Sequence, residues 1–354
     1  MNLTSLSLYN YRNIRRADIP FGEGVSVLLG MNGQGKTNVL ESIYLAGVGR
    51  SHRTARDAEL VRIGERGAAV HALSRHADGT HEVRVNLHEG KRKEVLVGSS
   101  PIRRAAELLG HVPSVLFSPE DLSLIKEGAA ERRRFLDIAI SQINPSYFSS
   151  LQKYTRALLQ RNRLLKQIRQ GASERRELDA WDDMLCVEGA RIKQTRAAFI
   201  KELAGKAGEA YAYLTDGGEA FCAEYKTQPA EIGAFMRERR ELDVLRCQTS
   251  VGPHRDDIDV FVNSLPARQF ASQGQQRTAA LSLKLAIISV YESLGFTRPV
   301  LLLDDALSEL DPNRKARLFR LIEGTQCIIT CADEAELGGV TVERVMRVTG
   351  GCIS

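Results

Sequence analysis

Three short stretches combine residue types that can do chemistry together. Gly30-Met31-Asn32-Gly33-Gln34-Gly35-Lys36-Thr37 matches the pattern G-x-x-x-x-G-K-[ST]. Glycines at that spacing let backbone N–H groups curl around phosphate oxygens, and the helix that follows points its positive end at the same charge. In such a loop Lys36 reaches the β- and γ-phosphates and Thr37 ligates Mg2+. Val300-Leu301-Leu302-Leu303 runs into Asp304-Asp305. A carboxylate pair at the end of a buried strand suits a cation and an attacking water: Asp304 supports the metal and Asp305 orients or deprotonates the water. On its own the stretch fits a strand ending in a solvated acidic turn equally well. Ser272-Gln273-Gly274-Gln275 precedes a long apolar run and offers a second anion site, a hydroxyl beside free helix N–H groups. Out of context it reads as a plain helix cap.

The elements needed to position these groups can be read from periodicity. Leu3–Leu8 alternates apolar and polar, as a half-buried strand does. Val25–Leu29 is a short apolar run ending at the glycine loop, consistent with a buried strand. A helix is predicted from Lys36 to about Ala46. Strands are predicted at Val70–Leu73, Val83–Leu87 and Glu94–Val97, antiparallel because their connections are short. From about Asp121 to Arg246 the pattern turns helical. Leu151, Leu158 and Leu165 repeat at seven, with Tyr154 and Ile168 between them. After Gln170-Gly171-Ala172-Ser173, Leu178, Leu185, Ile192 and Phe199 repeat at seven, with Trp181 between. Two heptad-like helices around a glycine-containing turn suggest an antiparallel hairpin, either a projecting arm or part of an ordinary bundle. Beyond it, a helix is predicted at Gln275–Leu294, a strand at Val300–Leu303, a helix near Pro312–Glu323 and a strand at Cys327–Thr330. The domains expected are residues 1–120, an inserted helical segment 121–246, and 247–354.

Composition narrows the class. Of 354 residues, 43% are apolar and 26% charged, enough to build a core and too apolar for a disordered chain. No apolar run approaches the roughly 18 residues that cross a bilayer, and no basic, apolar leader opens the chain, so a membrane or secreted protein is not expected. The six cysteines are scattered with no Cys-x-x-Cys pair, which suggests reduced thiols in a cytoplasmic protein. The seven histidines show no metal-ligand spacing along the chain. The net charge is +5 overall, but Lys153–Arg176 alone carries eight Lys/Arg against Glu174. A polyanionic partner would suit that distribution.

The order of the motifs is informative: phosphate loop, long insertion, Ser-x-Gly-Gln, acidic strand, then Ser308-Glu309-Leu310-Asp311. It resembles the ATP-binding cassette heads of the SMC and Rad50 class. The blocks Asn10–Asn13, GMNGQGKTNVLESIY, Arg50–Arg53, Ser118–Leu122, Glu131–Asp137, Gly252–Asp257, ASQGQQRT and LLLDDALSELDPNR together resemble the bacterial RecF family. The fold implied is α/β, an ABC-type P-loop ATPase head with an inserted α-helical arm, a helical hairpin domain.

The resemblance assigns roles residue by residue. ATP would be held by Gly30, Met31, Asn32, Gly33, Gln34, Gly35, Lys36 and Thr37. Thr37 and Asp304 would hold Mg2+. Asp305 stands where most cassette ATPases carry a glutamate base, and Lys36 would act with it in catalysis. Ser272 and Gly274 would cap the γ-phosphate bound by a second copy, and Asp311 would link the two sites of a head-to-tail homodimer. DNA, single-stranded and as gapped duplex, and RecR and RecO are the implied partners, with RecA loading, recombinational repair and the SOS response as the setting.

The shorter base at Asp305 and two further departures suggest slow hydrolysis, and the resemblance implies that it is weak and DNA-dependent. No glutamine occurs between Gln34 and Gln142, so the glutamine-loop residue is missing, with Ser118-Pro119-Glu120 in its place. Thr330-Cys331 stands where transporters carry a histidine. Arg12, Arg50, Arg53 and Arg56 are the DNA-contact candidates, along with Arg132–Arg134 and the basic hairpin. Exposed arginines are otherwise ordinary solvated surface, and the Arg132–Arg134 run has Glu131 beside it as a local ion-pair partner. His254 and Arg255 could pack the head or reach nucleotide, and His254 reads better as structural. A transport ATPase would need the missing sensors, and a Rad50-like tether a far longer arm or a Cys-x-x-Cys hook.

Overall fold

The structure is a computed structural model that describes every residue except 229, 230, 309 and 339. Its centre is a sheet built from the most apolar stretches. Strands β1 (Asn2–Tyr11), β2 (Ile14–Pro20) and β3 (Val25–Leu29) open the chain, and helix α1 (Lys36–Val48) follows the glycine loop. Then come β4 (Gly67–His76), β5 (Gly79–His88), β6 (Glu94–Val97), β7 (Ser100–Pro101) and β8 (Ser114–Phe117). The helical segment holds α2 (Ser123–Lys126), α3 (Ala129–Ile143), α4 (Pro145–Arg169) and α5 (Asp179–Leu214). It also holds β9 (Phe221–Lys226) and α6 (Ile232–Arg246). The C-terminal part contains β10 (Asp257–Val262), β11 (Leu265–Pro266), α7 (Ala267–Phe270) and α8 (Gln273–Ser293). It ends with β12 (Val300–Leu303), α9 (Pro312–Leu321), β13 (Cys327–Cys331), β14 (Arg344–Thr349) and β15 (Cys352–Ile353).

The central sheet runs β15-β14-β3-β13-β12-β8. Its pairs are parallel except for β14–β15. A parallel sheet needs both faces covered, hence the unbroken apolar runs. Alternation within them feeds two cores. Leu28, Val300, Leu302 and Ile328 face α1 and the antiparallel sheet β2-β1-β4-β5-β6-β7. Val27, Leu29, Leu301, Leu303 and Ile329 join α3, α5 and α8 in the other core. Each fully buried leucine in these strands contributes roughly 1.5–3 kcal/mol of hydrophobic stabilisation.

The heptad residues pack as the spacing predicts: Tyr154, Leu165, Ile168, Leu178, Leu185, Ile192 and Phe199 are buried, while Leu151 and Leu158 are partly so. Pro145 at the first turn and the Asn144 side chain, which accepts from the Tyr147 amide at 2.9 Å, start α4. At 36 residues, α5 would reach about 54 Å if straight. It does two jobs. One end pairs with α4 around a small separate core of Leu164, Leu165, Ile168, Leu178 and Val244. The other packs on α8, whose N-terminus carries Ser272. The segment expected to be helical throughout also contains β9, which pairs antiparallel with β10 beyond residue 246. The arm is therefore tied to the C-terminal part by a sheet as well as by helices.

Candidate nucleotide and cation site

The glycine loop joins β3 to α1 at the C-terminal end of the parallel strands, where ligand sites of open α/β sheets form. Gly33 and Gly35 take φ of +80° and +117°, backbone that side chains adopt only with strain. A Cβ on Gly30 would also stand 2.3 Å from the Val348 carbonyl oxygen. The loop is braced from two directions. The Asn13 amide donates to the Gln34 carbonyl at 2.9 Å, and the Asn38 amide donates to Asn13 at 2.8 Å. The backbone N–H groups of Gly350 and Gly351 donate to the Gln34 side chain and carbonyl.

The two side chains predicted to meet the cation, Thr37 and Asp304, are in contact, and Lys36 lies over the adjoining loop. The Lys36 ammonium donates to the carbonyls of Gly30 and Met31, so it lies curled over the loop, and its side chain is nearly buried. The Thr37 hydroxyl donates to Asp304 Oδ1 at 2.9 Å, and the Thr330 hydroxyl donates to the same oxygen at 2.9 Å. The Thr330 oxygen also accepts the Asp305 N–H at 2.8 Å. Asp305 sits at φ +49°, in the left-handed region, so its backbone is held in a conformation that favours Asn, Asp or Gly. Burial pushes the Asp304 carboxyl above its ordinary range, against the two hydroxyl bonds, and the charges of Glu120 and Asp305 push the same way. A buried carboxylate destabilised by its neighbours and facing a hydroxyl suits a divalent cation, so the residues present fit Mg2+.

Ser272 caps α8 in a reciprocal box: its hydroxyl accepts the Gln275 amide at 3.3 Å, and the Gln275 side chain accepts the Ser272 N–H at 2.8 Å. Ser272 is exposed; its hydroxyl and N–H bond Gln275, and its carbonyl accepts the Gln276 N–H at 2.9 Å. The Gln275 amide donates to Glu219, tying this turn to the segment just after α5. Asp311 caps α9, accepting the amides of Asn313 and Arg314 at 3.0 Å. Arg314 also pairs with Asp311 and lies beside Gly274, so the serine turn and Asp311 are neighbours within one chain.

The arginine candidates divide. Arg12 makes a bidentate pair with the fully buried Glu41 carboxylate (2.9 and 2.7 Å), and its side chain is 19% exposed. Burial alone would raise the Glu41 carboxyl, but the bonds from Arg12 and Ser51 outweigh it and hold the group below its usual range. Arg53 donates to Asn38 at 3.0 Å and lies near the same carboxylate. Both arginines thus brace the network that holds the glycine loop. Arg50 is exposed, and Arg56 is exposed with Glu59 at 3.8 Å.

In the Arg132–Arg134 run, Arg132 pairs with Asp257 at 2.6 Å and Arg133 donates to the Asp256 carbonyl at 2.7 Å. Their partners come from the Gly252–Asp257 block, where sequence neighbourhood pointed to Glu131. His254 is structural: it receives a hydrogen bond from the Tyr154 hydroxyl on Nδ1 at 2.6 Å and donates to the Thr249 carbonyl from Nε2 at 3.0 Å. Burial drives its pKa down to about 4. In the basic hairpin, Arg161 is fully buried against Asp182 and Asp243, whereas Lys153, Arg156, Arg163, Lys166 and Arg169 are exposed. Sequence reading gave no role to Asn13, Gly350 or Gly351. Asn13 lies within a recognisable block, but nothing in the sequence links the C-terminal glycines to the loop.

Residues 2–352 match the RecF/RecN/SMC N terminal domain family. A DNA replication and repair protein RecF from Acetivibrio thermocellus is 40% identical over 346 residues, covering 94% of each chain. The chain belongs to the RecF family. Solved structures described as the recombination mediator RecF with ATPrS and with ATP, in the RecFOR pathway, superpose on it with TM-scores of 0.91 at 33% identity. They cover 100% and 99% of this chain, and it spans 97% and 96% of theirs. As a RecF-family member it is a replication and repair protein built on an SMC-type ATPase head. Among the described residues, no helix is long and apolar enough to cross a membrane.

Proposed function

We propose that this chain is an ATP-gated DNA clamp whose closed state is a head-to-tail homodimer. The observation that carries the reading is a division of labour. Lys36 lies over the glycine loop and its neighbour Thr37 bonds Asp304, while the exposed Ser272 hydroxyl bonds Gln275 of its own helix cap. A turn of that kind is open to a phosphate held by another molecule.

Lys36 exchanges its two loop carbonyls for β- and γ-phosphate oxygens. Gly33 and Gly35 keep the backbone open enough for amide groups to reach those oxygens. Thr37 and the Asp304 carboxylate would hold Mg2+, which when bound neutralises phosphate charge. Thr330 fixes Asp304 and orients the Asp305 backbone, and Asp305 takes the proton of the attacking water. Aspartate is one methylene shorter than glutamate, and with the two substituted sensors the expected turnover is slow. Ser272 and Gly274 of the second copy cap the γ-phosphate, and Asp311 passes the state of one site to the other. Hydrolysis removes that shared anion and lets the pair open, because the triphosphate binds the closed state preferentially.

The closed pair presents Arg50 and Arg56, with Arg53 and Arg12 behind them, and the exposed basic side of α4 to DNA phosphates. Single-stranded DNA and gapped duplex are the substrates, RecR and RecO the partners, and RecA loading with the SOS response the cytoplasmic outcome. The deciding experiment is Ser272→Arg. The variant should bind ATP as a monomer with unchanged affinity but form no ATP-driven dimer by light scattering. ATP-driven dimers that persist would overturn the shared-site reading.

A further inference from the structure

Away from the nucleotide site, the β4–β5 turn and the segment entering β8 bring three imidazoles together. His76 ends β4, Asp78 lies in the two-residue turn, His81 begins on β5, and His111 precedes β8. One possible ligand atom from each of His76, Asp78 and His81 lies within 4.8 Å of the others. His111 Nδ1 stands 3.0 Å from His81 Nδ1, and the His76 ring stacks on His81 with centroids 4.0 Å apart.

Hydrogen bonding fixes the tautomers. His76 Nε2 is 2.7 Å from the His111 carbonyl oxygen, which can only accept, so His76 carries its hydrogen there and keeps a lone pair on Nδ1. His81 Nε2 is 3.1 Å from the Asp78 carboxylate, which by the same reasoning leaves a lone pair on His81 Nδ1. That lone pair faces His111 Nδ1. The contact is held either by one hydrogen on His111 or by one cation shared between the rings. Ligating histidines characteristically hand their other N–H to a carbonyl or carboxylate, as His76 and His81 do here. Tetrahedral zinc with bonds of 2.0–2.1 Å spaces neighbouring nitrogens about 3.3 Å apart, close to the His81–His111 separation.

We propose that His76, His81 and His111 form a binding site for one zinc-class divalent ion, with Asp78 positioning His81. The donor set is nitrogen-rich with no thiolate, which suits zinc, nickel or copper and disfavours Mg2+ and Ca2+. His76 has to tilt out of its stack to join the ion. The bound ion would staple the β4–β5 hairpin to the segment leading into β8, whose Phe117 carbonyl accepts the Asp304 N–H at 2.8 Å. The ligands escape a linear motif search because two lie across a hairpin turn and the third is thirty residues further on.

The test uses the full chain stripped with EDTA and titrated with ZnCl2 by calorimetry, with melting followed in parallel. Co2+ serves as a spectroscopic probe. One equivalent of Zn2+ should bind and raise the melting temperature. Asp78→Asn, at an exposed position, should weaken binding about tenfold and His81→Gln more, with ATP binding unchanged in both. Cobalt should give visible d–d bands without sulfur charge transfer. Absence of saturable binding, equal affinity in both variants and wild type, or a thiolate band would each overturn the site. In those cases a proton alone bridges His81 and His111.

Discussion

At the residue scale, Asp304 is the centre of a trade between stability and function. Its carboxyl is raised by burial, so the charged form is disfavoured in the folded, ligand-free protein. A group whose folded pKa exceeds its unfolded value gives its full stabilisation at low pH and loses it as pH rises through the folded pKa. At neutral pH the charge therefore costs stability unless a cation faces it. Asp304→Asn should leave the ligand-free melting temperature equal or higher and abolish the further rise that Mg2+–ATP gives the wild type. A lower ligand-free melting temperature would show that the charge is stabilising and contradict the burial argument.

His254 behaves in the opposite sense. With its pKa depressed from 6.5 to about 4, it stabilises the fold above pH 6.5 and progressively loses that contribution as pH falls toward 4. His254→Gln should cost stability at pH 7.5 and flatten the dependence of unfolding free energy on pH over that window. Urea midpoints at a series of pH values measure it. An unchanged slope would mean that another group governs the acid response.

At the element scale, the helical arm depends on a buried ion network. Arg161 on α4 is fully buried, with its guanidinium 2.5 Å from Asp182 on α5 and 2.7 Å from Asp243 on α6. Among the described residues, removing Arg161 leaves the fully buried Asp243 with no cation and only Ser250 to bond it, and leaves Asp182 to Arg240 alone, which costs about 3–5 kcal/mol. Arg161→Ala should therefore destabilise on that scale in urea unfolding. The exposed Arg163→Ala should stay within about 0.5 kcal/mol and affect only DNA binding. The two arginines are two residues apart and indistinguishable by composition, which locates the limit of sequence reading. Apolar spacing reports packing of a strand or helix directly, so β3, β12, the heptad faces and the glycine loop with its flanking elements were legible. Burial of a charge depends on partners 21 and 82 residues away, and no local pattern encodes them. Strands β2 and β14 escape the apolar pattern for a related reason: Arg15, Arg16 and Arg344 dilute their alternation, as suits strands with one exposed face. Nor does the sequence reveal the ion pair of the DNA-contact candidate Arg12, because its partner Glu41 lies on the buried side of a helix 29 residues later.

At the scale of the whole molecule, the clamp reading makes ATP a controller of how many phosphates the protein touches. Each neutralised phosphate adds about 0.9 to the salt slope on duplex DNA and about 0.7 on single strands. If closure aligns two copies on one DNA, the log–log slope of affinity against salt should steepen when ATP is added, by roughly twofold. It should not merely shift in parallel, as it would if ATP tightened an existing contact set. Asp305→Asn provides the means to hold the closed state, because asparagine tolerates the left-handed backbone at this position and the substitution removes only the carboxylate. The variant should lengthen the lifetime of the ATP dimer and keep the steep slope after wild type has reverted to the shallow one. Fluorescence anisotropy on gapped, single-stranded and duplex oligonucleotides across a salt series reads slope and lifetime together. Equal slopes with and without ATP would mean that the nucleotide pairs the heads without adding DNA contacts, and the grip would then have to lie within a single copy.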